Sequence, residues 1–289
     1  MKGDWGCSGI RITGMARSAP ISPAGWLRRL SRNLGWAVAL LLSLRLAWLI
    51  RRLLAPLAPR VLFCGRARGA GGQKLVALTL DDGPSGAGSL ALLELLGELG
   101  VPATLFLIGN HLSRGGVGFV ARALAEGHQL GNHMAEDSIS ARLPPEAFLD
   151  QLHRTAAALN AAAAPRPLAL RWFRPGGGWF HAAMLEAIGA DGYRLVLGSV
   201  FAFDTNHPPL WFLRRFLLTN VHPGAILVLH DRPDTIAATL HTLRLVVPEL
   251  RRRGYRFVSL GELVDPDQVG PDQTGPETGP EESGPAQTV

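Results

Sequence analysis

The sequence predicts an α/β fold of parallel strands, and three observations lead to that prediction. Short apolar runs alternate with longer stretches of helical spacing between residues 74 and 264. Polar or charged residues follow directly after several of the apolar runs, as they do at the carboxyl ends of strands in parallel sheets and barrels. The chain has 289 residues, which is enough for one large α/β domain.

The elements of this domain can be placed in chain order. Apolar runs predict strands at residues 75–80, 103–108, 192–199, 225–229 and 255–259. Amphipathic spacing predicts helices at residues 90–99, 117–126, 145–162 and 236–252. Helices between successive strands favour parallel pairing, so the domain is predicted to span residues 74–264.

Two further segments and a linker precede the domain. Residues 1–33 are basic and predicted to be flexible, residues 34–55 are apolar apart from a few arginines such as Arg45, and residues 56–73 are expected to be a linker. The apolar segment has three interpretations: a membrane anchor, a cleaved signal or transit segment, or an amphipathic helix packed on the domain. The first two predict a protein attached to a membrane, or one in the secretory pathway or outside the cell.

The distribution of charge and cysteine excludes several classes of protein. Residues 1–74 contain thirteen lysines and arginines against one acidic residue, whereas the rest of the chain is net acidic. A nucleic-acid-binding domain would have its basic groups on the folded surface, so no nucleic-acid partner is expected. Cys7 and Cys64 are the only cysteines and cannot form a disulfide framework. Residues 265–289 are rich in glycine, proline and acidic residues and are predicted to be disordered.

Adjacent carboxylates, Asp81 and Asp82, follow the first predicted strand of the domain. Successive side chains at a strand end point in different directions, so one carboxylate could bind a metal while the other acts as a base. Asp, Gly and Pro are also ordinary turn residues, and residues 81–84 read Asp-Asp-Gly-Pro. The interpretation as a site therefore depends on partners farther along the chain.

Those partners occur at three later positions in the sequence. His133 and Asp137 are four residues apart, and in one helical turn they would share a face, as a metal chelate requires. Arg174 precedes a run of glycines, and His230 ends the run at 225–229. Carboxylate, imidazole and guanidinium groups at strand ends form a catalytic rather than a packing set. Of the nine histidines only His133 and His230 fit, and the others are expected mainly on the surface or in loops.

The segments from Thr79 to Asp231 resemble, in order, the five motifs of the polysaccharide deacetylase family. This is the NodB-homology or carbohydrate esterase 4 group, which includes chitin deacetylases. The resemblance covers the middle two-thirds of the chain and neither end. It implies a distorted (β/α) barrel that removes acetyl groups from N-acetylglucosamine units with a divalent metal.

The resemblance also implies roles for individual residues. Asp81 would be the general base, oriented and kept ionised by Arg174, and His230 would be the general acid, paired with Asp204. A metal with Asp82 and His133 among its ligands would polarise the amide carbonyl and acidify a water. The residues expected to contact substrate are Leu229 at the acetyl methyl group, Pro175 and Trp179.

Three departures from the family pattern bear on the site. Asp137 stands where the second motif ends in histidine, so the implied ligands are Asp82, His133 and Asp137, with Glu136 and Ser140 as alternatives for the last. Zinc is the metal expected from the resemblance, and this harder, oxygen-rich set raises cobalt, manganese and iron as rivals to it. Gly176 replaces a second proline, which is expected to loosen the loop after Arg174. The tryptophan next to the Asp204 motif is missing, and Trp211 and Trp179 are candidates to replace it.

The leading hypothesis is a metal-dependent hydrolase that deacetylates a chitin-like or chitooligosaccharide-like glycan. Asp137 and the missing tryptophan motivate one alternative, a glycan-binding relative that has lost turnover. A second alternative keeps the hydrolytic chemistry and acts on a small substrate with a C–N amide bond.

Overall fold

The computed structural model of the chain describes residues 23–43, 53, 55–113, 116–165 and 167–265. In these ranges, nine strands form one parallel sheet that curls into a distorted half-barrel with helices packed against it. The predicted (β/α) barrel class is confirmed. The strands are β1 (Val61–Leu62), β2 (Lys74–Gly83), β3 (Ala103–Leu107), β4 (Gln129–Asn132), β5 (Trp172–Phe173), β6 (Arg194–Val196), β7 (Val200–Phe201), β8 (Ala225–His230) and β9 (Tyr255–Val258).

The helices occupy most of the connections between these strands. The predicted helices are all found, with boundaries shifted by at most three residues. The helices are α1 (Pro23–Ser43), α2 (Ala55–Leu57), α3 (Ala87–Leu99), α4 (Gly109–Leu112), α5 (Gly116–Ala125), α6 (Pro145–Ala163), α7 (Ala182–Ala190), α8 (Leu210–Asn220), α9 (Ile236–Arg252) and α10 (Leu260–Val264).

Strand β2 lies in the middle of the sheet and determines where the polar strand ends meet. The strand order is β1-β6-β5-β4-β3-β2-β8-β7, and β9 pairs with the first half of β2. The run at 75–80 is buried on both faces, which explains why it is continuously apolar instead of alternating. The register of β2 with β8 places Leu80 opposite Leu229 and Asp81 opposite His230. Residues 149 positions apart in the chain thus meet at one edge of the sheet.

The structure differs from the expectations for the segments before the domain. Part of the expected linker at 56–73 is strand β1, which is buried and pairs with β6. Helix α1 begins at Pro23, inside the segment predicted to be flexible, and the Trp36 ring packs against Phe212 with centroids 4.8 Å apart. Of the three interpretations of the apolar segment, this contact agrees with a helix packed on the domain.

Membrane attachment receives no support from the part of the chain that the structure covers. No helix there is both long enough and apolar enough to cross a bilayer. Residues 1–22, 44–52 and 54, which belong to the predicted flexible and apolar segments, lie outside the described residues, as do residues 266–289 of the predicted disordered tail.

Gly131 in β4 allows two layers of the core to approach closely. A Cβ atom at this position would overlap the ring of Phe106, which itself packs under the Arg174 guanidinium at 4.2 Å from its carbon to the ring centroid. We therefore expect Gly131→Ala to lower the free energy of unfolding by about 1–3 kcal/mol, as overpacked cores do. Urea denaturation measures this difference. Gly118→Ala in α5 is the control, because an added Cβ there meets no atom within 4 Å, and equal midpoints for the two variants would contradict the prediction.

Candidate active site

The two adjacent carboxylates separate because the backbone turns between them. Asp82 has a positive φ of 71°, and the pairing of β2 with β3 shifts register between Asp81 and Gly83. A non-glycine residue in this left-handed region is uncommon and marks a specific local geometry. Asp81 therefore keeps its place in the sheet opposite His230, whereas Asp82 turns toward the end of β4. The expectation that the two side chains point in different directions is correct.

Asp81 is buried and held by one guanidinium. The Arg174 Nη1 donates to Asp81 Oδ1 at 2.5 Å and to Thr79 Oγ1 at 2.8 Å, and the Arg174 Nε donates to the Val196 carbonyl at 2.9 Å. Arg174 extends from the end of β5, and its own side chain is only 4% exposed. The ion pair and these hydrogen bonds fix Asp81 in position at the end of β2.

His230 at the end of β8 is held in a comparable way by Asp204. The His230 Nδ1 donates to Asp204 Oδ1 at 2.8 Å, and the His230 backbone N–H donates to Asp204 Oδ2 at 2.8 Å. Burial on its own would lower the pKa of His230, but the hydrogen bond to Asp204 and the charge of Asp204 outweigh it and raise that pKa to about 9. The imidazole is therefore protonated at neutral pH, as a proton donor must be.

Asp82 and His133 form the third contact of the site. His133 Nδ1 donates to the Arg174 carbonyl at 2.7 Å, so its Nε2 faces Asp82 Oδ1 at 3.1 Å. Burial alone would raise the pKa of Asp82, but the bond from His133 and the neighbouring positive charges hold it well below its usual range. Burial alone would lower the pKa of His133, and the bond to Asp82 with the charges of both aspartates raises it instead.

Asp137 does not join this pair, which corrects the expected chelate. The segment after His133 is not a helical turn, because Met134 has a positive φ of 67° and the chain bends there. Asp137 lies at the surface with its side chain 54% exposed, and its Oδ2 accepts from Arg232 Nη1 at 2.7 Å. The alternatives do not replace it: Glu136 is exposed, and Ser140 Oγ accepts from the Gly176 backbone N–H at 2.8 Å.

These donors do not form a metal site in the described part of the chain. Asp82 and His133 approach each other, but no group of three or more His, Cys, Asp or Glu side chains there is arranged to hold an ion. The other oxygen of Asp82, Oδ2, accepts from Arg232 Nη1 at 3.2 Å. A guanidinium shared between two of the three predicted ligands repels a second cation. The arrangement therefore does not fit the metal that the resemblance implies.

The residues predicted to contact substrate lie in different environments. Leu229 is fully buried in the main core, Pro175 is buried beside Arg174, and Trp179 is 68% exposed. Nothing in these positions tests their contact with substrate, and the roles stay predictions. Gly176 does not loosen its loop, because an added Cβ would collide with the Ser138 carbonyl and the backbone N–H is bound by Ser140.

Phe201 contributes an aromatic ring beside His230 that the sequence did not predict. Its ring packs edge-on against His230 with centroids 5.7 Å apart and remains 37% exposed. Trp211, one of the two candidates to replace the missing tryptophan, packs against Phe212 on α8. The available signal in the sequence was the pair of aromatic residues, Phe201 and Phe203, just before Asp204.

A cavity of about 620 Å³ opens beside Asp82. Two residues that the sequence analysis did not use lie in its wall, Arg232 and His111. His111 was expected in a loop or on the surface, but its Nδ1 lies 2.9 Å from the Asp82 carbonyl oxygen. Arg232 follows His230 by two residues, so its place after a strand end was the available signal. The remaining wall is mainly small and apolar, from the β2–α3 and α4–α5 regions.

A parallel half-barrel with a carboxylate, an imidazole and a guanidinium together at its strand ends is typical of a catalytic site. Comparison with known proteins identifies the family to which this chain belongs. Residues 68–196 match the sequence model described as polysaccharide deacetylase. The chain therefore belongs to the polysaccharide deacetylase family, and the relatives it matches are named deacetylases, hydrolases acting on carbon–nitrogen bonds. Deacetylases of this family are generally metal-dependent.

Individual relatives cover most of the described domain. A peptidoglycan-N-acetylglucosamine deacetylase of Bacillus cereus is 30% identical over 194 residues, which are 66% of this chain and 89% of the relative. A chitooligosaccharide deacetylase of Bradyrhizobium is 30% identical over 203 residues, 66% of this chain and 91% of the relative. A crystal structure of a peptidoglycan N-acetylglucosamine deacetylase superposes with a TM-score of 0.65 at 27% identity, covering 71% of this chain and 92% of the other.

Proposed function

We propose that the chain removes N-acetyl groups from glycans that contain N-acetylglucosamine, such as chitin or chitooligosaccharides. The observation that supports this most strongly is the pairing of Asp81 with His230 across adjacent strands, each fixed by its own buried partner. One group can accept a proton and the other can donate one, as amide hydrolysis requires. The relatives that act on peptidoglycan and chitooligosaccharides support the substrate class.

The residues act in a definite order in this proposal. Asp81 takes a proton from a water as the water oxygen bonds to the acetyl carbonyl carbon, which gives a tetrahedral intermediate. Arg174 holds the Asp81 carboxylate in position for this step through the bond from its Nη1. His230 then donates the proton on its Nε2 to the amide nitrogen as the carbon–nitrogen bond breaks. The products are acetate and the free amine of the sugar.

The cofactor is a separate part of the prediction. Zinc, with cobalt, manganese or iron as alternatives, is the ion that the resemblance implies, and in the family it would polarise the carbonyl. The mechanism above contains no metal step, because the predicted ligands Asp82, His133 and Asp137 do not converge.

Acetate release tests the proposal directly. The purified full chain is incubated with N-acetylated chitooligosaccharides, with and without each of the four divalent metals, and acetate is measured by an enzyme-coupled assay. We expect release in at least one condition, with one acetate formed for each new free amine. A folded protein that releases none in every condition would rule the proposal out.

The same assay separates the two alternatives from the main proposal. The bond between Asp137 and Arg232 favours a glycan-binding relative without turnover, because it removes one predicted ligand from the site. That protein would bind chitooligosaccharides in calorimetry and release no acetate. An amidase for small substrates would instead release acid from short N-acyl amines and not from the oligosaccharide.

The pH dependence of acetate release follows from the environment of His230. The imidazole must be protonated to act as the acid, and its pKa is raised to about 9, so we expect activity to fall as the pH rises through about 9. Asp204→Asn removes the charge that raises this pKa, so the alkaline limb should move at least about one unit toward the unperturbed value near 6.5. A pH–rate profile of the two proteins measures the shift.

Asp191→Asn is the matched control for this profile. Asp191 also bonds a histidine, with its Oδ2 2.7 Å from His153 Nε2, but that pair lies on the surface away from the site. Its alkaline limb should coincide with that of the wild type. An alkaline limb of Asp204→Asn that also stays in place would show that Asp204 does not hold the proton of the acid.

A location outside the cytoplasm belongs to the same proposal, because polymeric chitin-like glycans and peptidoglycan occur there. Fractionation of cells that express the full chain tests it, and recovery in the cytosolic fraction alone would contradict it.

A further inference from the structure

Arg232 occupies the space next to the carboxylates that were expected to bind a metal. It lies in the connection between β8 and α9, two residues after the proposed acid. Its Nη1 donates to Asp137 Oδ2 at 2.7 Å and to Asp82 Oδ2 at 3.2 Å, and its Nε donates to Asp234 Oδ1 at 3.3 Å. One nitrogen thus connects two strand ends that are 55 residues apart in the chain.

The contacts of Asp82 leave little room for another cation. Its Oδ1 faces His133 Nε2 at 3.1 Å and its Oδ2 accepts from Arg232, so both oxygens have partners. The Asp82 side chain is only 8% exposed, whereas that of Arg232 is 33% exposed and borders the cavity of about 620 Å³. The guanidinium is therefore the more exposed member of the pair, and both side chains line the cavity.

A guanidinium in this place changes the electrostatics of the site permanently. It does not lose its proton under any ordinary condition, unlike a lysine or histidine. A divalent ion between Asp82 and His133 would lie a few ångströms from this charge, and would also have to compete with it for Asp82. Asp137, the third expected ligand, accepts from the same nitrogen.

We infer that the Arg232 guanidinium is the resident cation of this site and that it weakens the binding of divalent metals by Asp82 and His133. The inference deepens the proposed function and rests on it for its catalytic meaning: Arg232 would supply positive charge beside Asp82, where the resemblance implies a metal. A fixed donor and charge beside a developing oxyanion is a recognised way to stabilise it. Arg232 thereby distinguishes this chain from the metal-dependent pattern of its family.

Metal binding can be measured without any substrate. Cobalt(II) is titrated into the full-length wild type and Arg232→Gln, and its visible absorption reports coordination, while mass spectrometry gives the metal content of the proteins as purified. We expect the wild type to hold well under one metal per chain and Arg232→Gln to bind cobalt about tenfold more tightly or better. A tenfold change is at the lower end of what repulsion between charges about 4 Å apart produces at a partly exposed site.

Arg154→Gln is the matched control, because it removes the same charge from an exposed pair with Asp150 on α6. Its cobalt affinity should equal that of the wild type. One tightly bound metal per wild-type chain would overturn the inference, as would equal cobalt affinities of the wild type and Arg232→Gln. The metal content of the wild type needs no variant, so it decides the matter even if Arg232→Gln fails to fold.

The outcome is independent of the proposed function. Absence of acetate release from every protein would refute the deacetylase proposal and would leave the cobalt affinities unaffected. Release by the wild type together with one tightly bound metal would support the deacetylase proposal and reject the role of Arg232.

Discussion

Replacing Asp81 with asparagine is expected to lower acetate release from chitooligosaccharides by about 10²–10⁴-fold, the usual contribution of a positioned general base. The amide has nearly the same shape as the carboxylate and can still accept from Arg174 Nη1, so the site should stay assembled. It cannot take a proton from water. The loss should therefore appear in kcat, with little change in KM, because the interaction is needed in the transition state rather than for binding.

Two variants control for this result. Asp150→Asn makes the same chemical change on the exposed face of α6, where Asp150 pairs only with Arg154 in the described structure, and should leave acetate release unchanged. Asp81→Glu keeps the carboxylate and displaces it, so it should recover part of the activity lost in the asparagine variant. An Asp81→Asn protein that retains more than about a tenth of wild-type kcat would contradict the role of Asp81 as the base.

The parts of the site that could be predicted from the sequence are those fixed by the strands. The apolar run before Asp81 and the one before His230 identify two strands, and the rule that parallel strands end at the same edge brings both residues together. The structure agrees, with Asp81 and His230 opposite each other in register. Local pattern and a general rule of topology were sufficient here.

The parts that could not be predicted depend on loop conformation. The expected chelate of His133 with Asp137 assumed a helical turn, and the positive φ of Met134 turns the chain out of it. Asp137 then meets Arg232, a partner 95 residues away whose position depends on a different loop. Spacing along the chain does not determine contacts between two loops, so the charge pair became visible only in three dimensions.

The contact between Phe201 and His230 also depends on an arrangement in space rather than on order along the chain. The family motif places a tryptophan next to its aspartate, and the residues that follow Asp204 are Thr205 and Asn206. The ring that packs on His230 belongs to Phe201 at the end of β7, since β7 pairs directly with β8. A neighbouring strand can supply a wall from the other side of the motif, which a linear comparison of residues does not reveal.

Replacing Arg174 with methionine is expected to lower the free energy of unfolding by about 3–5 kcal/mol, the effect of removing one member of a buried ion pair. Asp81 would remain buried without its charged partner, and Thr79 Oγ1 and the Val196 carbonyl would lose their hydrogen bonds from Arg174. Methionine fills a similar length of the same space, so the loss of charge and hydrogen bonds should dominate over a cavity. Urea denaturation monitored by circular dichroism measures the change.

The double variant Arg174→Met with Asp81→Asn shows whether the uncompensated charge is the cause. It removes both members of the pair, so its loss of stability should be smaller than the sum of the two single losses, with a coupling of at least about 1 kcal/mol. Arg154→Met, at an exposed pair, should unfold close to the wild type. If Arg174→Met also unfolds close to the wild type, the Arg174–Asp81 pair contributes little to the free energy of unfolding, and the prediction is wrong. Equality of the double variant with the sum of the singles would instead assign the loss to packing and to the bonds with Thr79 and Val196, because an additive pair has no interaction energy to lose.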